Sequence, residues 1–544
     1  MKAGTALPWV AGTLIGVIAV GRAWAPGYLL HLDMVTVPNP PLTGALFGLD
    51  AELPRAVPSD LVLALLSRLA PGGLAIKLLL VAAFAIGCAG TARLLPAAST
   101  TASTAASTAA GVLYAWNPWT AERLAMGHWP LLLSYAGLPW VAAATRRLST
   151  EPRAVAGLVV ALLLPAVGGI SGCLLAAVLV AAVLAATRAG RAQWLTGTAA
   201  VLLVSLPWLL PSVLRSTAAT VDPAGVDAFA LRPDGPFGPV GTALQLAGVW
   251  NRLAVPAGRG ALLVQIAALA VTALAAWGLR RTPGAAGIAL AGGVGLLLAL
   301  APTITAGADL LKAAGPATGI MRDSHRWLAL LALPIAVGAG TAVGKIPRHA
   351  AVLAILTPPA LLPALAGQLH AAHYPPDWIR VQAAVRADPG PVLALPWTPF
   401  RDYDWAPGIA LTPATKIFPA PVRWNDTVIV GGTTIAAEDP ATRDLTRIIE
   451  AGPTSERLRQ YGIRYVLVET DQQPRTRIDG LKTVVTGEDL TLYRVDGQLT
   501  PQPPPVRAPA AIVAADLAVT VTILWCTFLL LTGKLRTANV HRDE

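Results

Sequence analysis

Along its 544 residues the chain alternates long apolar runs with short polar gaps. Crossing roughly 30 Å of hydrocarbon takes about 17 to 25 apolar residues in a helix. About twelve stretches approach that description, near residues 8–25, 74–95, 104–117, 129–145, 154–168, 170–187, 198–214, 261–279, 285–303, 326–344, 350–368 and 509–533. The third and fifth are the shortest. The pattern predicts an α-helical polytopic membrane protein whose first stretch is a retained helix, because it runs into a long polar loop with no small-residue cleavage site. Within that loop, Ser59–Ala70 carries apolar residues at helical spacing over too short a length to span, which predicts a helix lying on the membrane surface. Residues 97–110 are almost wholly Ala, Ser and Thr and predict a helix whose small side chains let neighbours approach closely.

From His370 the pattern changes to short β-branched runs mixed with amphipathic stretches. It predicts helices at 377–387, 443–450 and 456–461 and strands at 391–396, 427–430, 464–468, 483–485 and 490–495, a small α/β domain before the last helix. The expected organisation is a multi-pass part over residues 1–369, the α/β domain over 370–508, and a final helix with a basic tail over 509–544.

Charge orients this arrangement. Arg93, Arg146, Arg147, Arg153, Arg188, Arg191, Arg280, Arg281, Lys345, Arg348, Lys534, Arg536 and Arg542 fall in alternate gaps. With both termini in the cytoplasm of a plasma membrane all of them lie inside, as the bias of Lys and Arg toward inner loops requires. The Asp33 loop, the gap around His128 and the α/β domain are then extracytoplasmic. A hydrophobic share of 54% and a charged share of 13% fit this class. The net charge of +11 is accounted for by topology and anionic membrane lipids, and no basic stripe interleaved with aromatics suggests nucleic acid. Cys88, Cys173 and Cys526 lie inside predicted spans and form no metal knuckle or disulfide framework.

Three constellations on the outer side carry candidate chemistry. Asp33 closely follows the first span, and a carboxylate at the rim of a membrane cavity can accept a proton from an attacking alcohol; the alternative is a loop aspartate that caps a turn. Trp116, Asn117, Trp119, Glu122, Arg123, His128 and Trp129 share one gap. There an arginine fork suits phosphate and flat aromatic faces suit sugar rings, although tryptophans also anchor helices at headgroup level. Arg322, Asp323, His325 and Arg326 stand before the tenth span, where cations at a helix start make an anion site or simply an ion-paired group. Asp222, Asp227 and Asp234 lie in another outer loop as possible second acids, and Asp516 sits close to the last apolar stretch. His370 and His373 lack ligand partners, so no metal is expected, and no P-loop is present.

Taken together, these features resemble the multi-pass glycosyltransferases of superfamily C (GT-C). The run Tyr114-Ala-Trp-Asn-Pro-Trp, followed by Glu122, Arg123, Gly127, His128 and Trp129, and the later Arg322-Asp323 with Arg326-Trp327, are similar to the membrane part of the large actinobacterial arabinofuranosyltransferase of arabinan synthesis. The resemblance implies transfer of a sugar, arabinofuranose or mannose, from a polyprenyl-phosphate donor to a cell-envelope glycan or glycolipid acceptor, with no cofactor. Asp33 would be the base, Arg123, His128, Arg322, His325 and Arg326 the donor-phosphate contacts, and Trp116, Asn117, Trp119, Glu122 and Trp129 the sugar contacts. The chain departs from the family in having Asp33 alone where many members carry two adjacent acids. The competing class is a non-enzymatic lipid-linked glycan flippase or envelope scaffold.

Overall fold

A computed structural model of the chain describes residues 3–50, 52–96, 100–148, 151, 154–315, 319, 322–345, 367–472 and 480–540. Among these, eight helices are long and apolar enough to cross a membrane. Three further expected spans are helical but fall short in length or apolarity. Thr101–Ala115 has 15 residues, Trp129–Arg147 ends in two arginines, and the stretch expected at 154–168 is broken into Ala154–Ala161 and Leu163–Val167. The expected span at 350–368 lies almost wholly outside the described residues.

Small residues set the helix spacing, as they must where lipid supplies no hydrophobic drive for association. A Cβ on Gly12 would lie 2.7 Å from Ala85 Cα, and one on Gly16 would lie 2.6 Å from Val81 Cα, so Ala3–Val20 packs antiparallel to Leu74–Ala92. Gly340 approaches Ala106 and Ala110 in the Ala/Ser/Thr helix, whose second half is buried, as expected of a close-packing segment. The three described cysteines are free and buried.

The cationic gaps gather at one end of this bundle. Arg93 stacks over Trp140 at 4.9 Å, Gly284 abuts Arg146, and the hydroxyls of Thr282 and Thr341 meet at 2.7 Å. Arg93, Arg146, Arg147, Arg188, Arg191, Arg280, Arg281 and Lys345 are all exposed there.

The opposite end carries the β-structure. Strands β1 (Tyr28–His31) and β2 (Met34–Val35) form a hairpin, and β1 also pairs with β3 (Ala371–Ala372), tying the first loop to the segment that follows residue 367. Next come β4 (Val392–Leu395), the hairpin β5 (Phe400–Asp402) and β6 (Ile409–Leu411), β7 (Val422–Arg423), the hairpin β8 (Val428–Val430) and β9 (Thr433–Ile435), then β10 (Tyr465–Glu469), β11 (Lys482–Thr486) and β12 (Leu490–Arg494). The main sheet runs β11-β12-β10-β4-β7, with β4 parallel to both its neighbours. All four residues of β4 are buried, as a strand covered on both faces requires. The expected helices and strands of this region all form, at Pro376–Ala387, Pro440–Glu450 and Ser455–Gln460 among the helices. The β5–β6 hairpin was not legible, since it is held by a buried side chain far away in sequence: Glu469 at the end of β10 takes hydrogen bonds from Tyr403 at 2.9 Å and Thr412 at 3.0 Å, and lies 2.7 Å from Arg401.

Candidate active site

Asp33 sits at the tip of the β1–β2 hairpin, where His31 pairs with Met34 and leaves Leu32 and Asp33 as a two-residue turn. Leu32 takes φ +46°, a conformation leucine rarely adopts. Its cost, about 1–3 kcal/mol, is sustained because β6 grips the same residue: Leu32 N–H donates to Ile409 O at 2.8 Å, and Leu411 N–H to Leu32 O at 2.9 Å. The sheet region thereby fixes the candidate base.

The second constellation is pressed against this tip. Asn117 caps helix Pro118–Ala125, accepting from Thr120 N–H, with Pro118 in its first turn. The helix ends at Gly127, which takes φ +75°; a Cβ there would lie 2.4 Å from Met34 N and 2.5 Å from His31 O. Glycine is needed at that contact. Asp33 N–H donates to Met126 O at 3.3 Å and His31 Nε2 to Ala125 O at 2.8 Å. The turn then delivers His128, whose Nε2 lies 2.9 Å from Asp33 Oδ2.

Behind His128 is Arg123, fully buried and central. Its fork grips Asp323, with Nη1 to Oδ2 at 2.5 Å and Nη2 to Oδ1 at 2.9 Å. The same nitrogens meet His128 Nδ1 at 3.1 Å and His325 Nδ1 at 2.9 Å. Burial would raise the Asp323 carboxyl, but Arg123 overrides it and holds the group at about 2. Asp323, like Leu32, is a non-glycine residue in the left-handed region, at φ 64°. His325 Nε2 lies 3.1 Å from Glu122 Oε2, both side chains wholly buried, and Glu122 accepts Val249 N–H at 3.0 Å. Desolvation, reinforced by Asp234, pushes the Glu122 carboxyl up to about 8, so it is predominantly protonated at neutral pH. Among the described residues no group of three His, Cys, Asp or Glu is arranged to hold a metal ion.

The structure thus brings Asp33, Glu122, Arg123, His128 and His325 together from three separate parts of the chain, with Asp323 as the partner that sequence alone left in a local ion pair. The other expected contacts go elsewhere. Arg322 turns away to Glu438, which Arg55 also binds at 2.8 Å, and it stacks over Phe229 at 4.2 Å. It ties the loop before the helix Leu328–Val343 to the sheet region through Glu438. Arg326 is 6% exposed and donates to Ser171 Oγ at 3.0 Å, while its Nε and Nη2 have no hydrogen-bond partner. The expected sugar-facing aromatics are packed inside: Trp116, Trp119 and Trp129 are 7%, 0% and 2% exposed. Trp119 stacks on Tyr135 at 4.5 Å and donates to His325 O at 3.3 Å, and Asn117 Nδ2 donates to Tyr114 O and Tyr135 Oη. The flat face of Trp119 is spent on Tyr135, while Trp116 lines an apolar cavity.

Sequence reasoning missed a neighbouring polar knot. Arg259 lies 3.3 Å from Asp234 and donates to Gln245 at 2.8 Å, which in turn donates to Gln265 at 2.9 Å. Asp234 stood out only as a possible second acid, and Gln265, on the apolar helix Leu262–Leu279, was a further signal. This knot borders an apolar cavity of about 80 Å³ lined by Leu113, Trp116, Val264, Val271 and Ile335.

No family model matches the chain, and no curated protein matches it in sequence. Solved structures do. The mycobacterial arabinofuranosyltransferase AftD superposes with a TM-score of 0.56 at 17% identity, over 90% of this chain and 40% of AftD. Its R1389S mutant gives 0.57 at 18% and 0.54 at 16% in two classes. The chain shares the fold of this part of the AftD chains. The chain spans about two fifths of the AftD chains it matches.

Proposed function

We propose that this protein is a glycosyltransferase of the plasma membrane, moving arabinofuranose or mannose from a polyprenyl-phosphate donor to a cell-envelope glycan or glycolipid on the outer face. The observation that carries the reading is the Asp33 carboxylate, 43% exposed at the end of the bundle opposite the exposed cations, held at one oxygen by a histidine and backed by buried arginines. The inner-loop bias of Lys and Arg supports placing that end, with the sheet region, outside and both termini in the cytoplasm.

In this reading Asp33 takes the proton of the acceptor hydroxyl as its oxygen attacks the anomeric carbon, and the carbon–oxygen bond to phosphate breaks with inversion. The leaving polyprenyl phosphate carries the electron pair away. Arg326 is the cation best suited to it, having two unpartnered nitrogen positions, whereas both terminal nitrogens of Arg123 are already committed. The apolar cavity beside Trp116 supports entry of a prenyl chain at the flank of the same end.

Protein purified in nanodiscs and supplied with synthetic polyprenyl-phospho-arabinofuranose or polyprenyl-phospho-mannose tests the reading. Asp33→Asn should lower turnover by about a thousandfold or more while the unfolding temperature stays put, since the base is lost and its hydrogen bond kept. A flippase or scaffold would keep its activity with asparagine there, and transfer that survives the substitution ends the proposal.

A further inference from the structure

A guanidinium has N–H donors and no acceptor, so an imidazole nitrogen that hydrogen-bonds to it must offer a lone pair. Arg123 Nη1 lies 3.1 Å from His128 Nδ1 and Nη2 lies 2.9 Å from His325 Nδ1. The other N–H of each of these nitrogens goes to Asp323, at 2.5 and 2.9 Å. All four terminal donors are therefore committed, and both Nδ1 atoms are bare. The one ring proton of each histidine then sits on Nε2. His128 Nε2 is 2.9 Å from Asp33 Oδ2, so the buried arginine aims an imidazole N–H at that carboxylate, whereas His325 Nε2 has no hydrogen-bond partner.

We infer that Arg123 is a positioning residue that fixes His128 as its Nε2–H tautomer, making His128 a neutral donor that orients Asp33 and leaves Oδ1 to take the acceptor's proton. His128 cannot relay that proton onward, because its far nitrogen faces an N–H of Arg123. The acceptor O–H breaks, its oxygen bonds to the anomeric carbon, the electron pair departs with the phosphate, and the proton rests on Asp33 Oδ1 until water removes it. The histidine expected from sequence to contact the donor phosphate has its N–H engaged elsewhere. The kinetic consequence rests on the glycosyltransferase reading; the tautomer does not.

Glutamine is close to the shape of this tautomer. Its amide oxygen accepts from Arg123 where Nδ1 did, and its NH₂ donates to Asp33 where Nε2 did, whereas leucine can do neither. Full-length protein carrying ¹⁵N-histidine reports ring protonation directly, with His128 identified by the signal lost in His128→Gln. At neutral pH the His128 ring should be protonated at Nε2 and bare at Nδ1, and Arg123→Met should turn that signal into a mixture of tautomers. With polyprenyl-phospho-arabinofuranose or -mannose as donor, His128→Gln should hold kcat within about tenfold at unchanged KM, while His128→Leu loses about a hundredfold or more in kcat. A ring protonated at Nδ1 in the unmodified protein, or glutamine as inactive as leucine, overturns the inference. If neither donor is consumed by the unmodified protein, the glycosyltransferase reading fails while the ¹⁵N spectrum still decides the tautomer.

Discussion

The two ends of the helical bundle hold cations in opposite ways. At one end Arg93, Arg146, Arg147, Arg188, Arg191, Arg280, Arg281 and Lys345 are exposed, and their pairing is sparse. At the other, Arg123, Arg259, Arg326 and Arg401 are 6% exposed or less, and three of the four face a carboxylate within 3.3 Å. Exposed cations keep their water and cost nothing to hold, so they serve to orient the chain in a membrane. Buried ones have given up hydration worth several kcal/mol each, and persist only where geometry returns it. Desolvated charge is found at the end that also bears Asp33.

The largest effect expected from breaking this contrast is at Arg123. Arg123→Met leaves the half-buried Asp323 without its fork and frees both imidazoles, which should cost about 3 kcal/mol of stability. Turnover should fall with it. Thermal unfolding in detergent, read beside the donor assay, checks both; an unfolding temperature like that of the unmodified protein would show that the hub is not held together by its arginine.

Glu122 sharpens the comparison through pH. Its carboxyl is raised in the folded protein from 4.5 to about 8, so the folded state binds a proton that the unfolded state has already released over that range. The resulting stability is fully present below 4.5 and is lost as pH rises through about 8. The unfolding temperature should therefore drop between those limits, by an amount on the order of a few kcal/mol in stability. Glu122→Gln keeps the shape and should flatten that part of the profile. An unchanged slope in the variant would assign the dependence to another group.

Why some of this was legible and some not follows from how far each signal reaches. Helix and strand positions came from local periodicity, which is why β4, β10 and β12 and the helix Pro376–Ala387 were foreseen. Gly127 and His128 were noticed as a motif, but the reason for glycine, a backbone contact with Met34 and His31, joins residues that only folding brings together. Asp323 and Arg123 pair across 200 positions, and nothing local distinguishes that from an ion pair of Asp323 with the adjacent Arg322. The tryptophans misled in the other direction. Aromatic composition is the same whether a ring faces a sugar or, like Trp119, a neighbouring tyrosine, so only burial separates the two.

A smaller effect is expected at the clasp. Glu438 joins Arg55 and Arg322 but stands at the margin, with its side chain 19% exposed beside Arg55 at 42%. Glu438→Ala should lower stability by about 1–2 kcal/mol, since partly hydrated arginines recover water when released. Donor turnover should be unchanged, because Leu32 is held separately by β6 and Asp33 by Met126 O and His128. Loss of turnover matching that of Asp33→Asn would make the clasp part of the reaction site.

The smallest effect should come from the exposed end. Arg147 Nε and Glu151 Oε1 lie 3.9 Å apart with side chains 65% and 55% exposed, so water screens them from each other and holding two long side chains in register offsets most of the attraction. Arg147→Gln should change stability by less than about 0.5 kcal/mol and leave turnover alone. Orientation in the membrane should also survive, since Arg146, Arg188, Arg191, Arg280 and Arg281 remain on the same end to enforce it. Protease accessibility of the 500–508 linker in sealed vesicles reads that orientation, and a switch of sides on loss of this one arginine would mean that the exposed cations act individually and not as a summed bias.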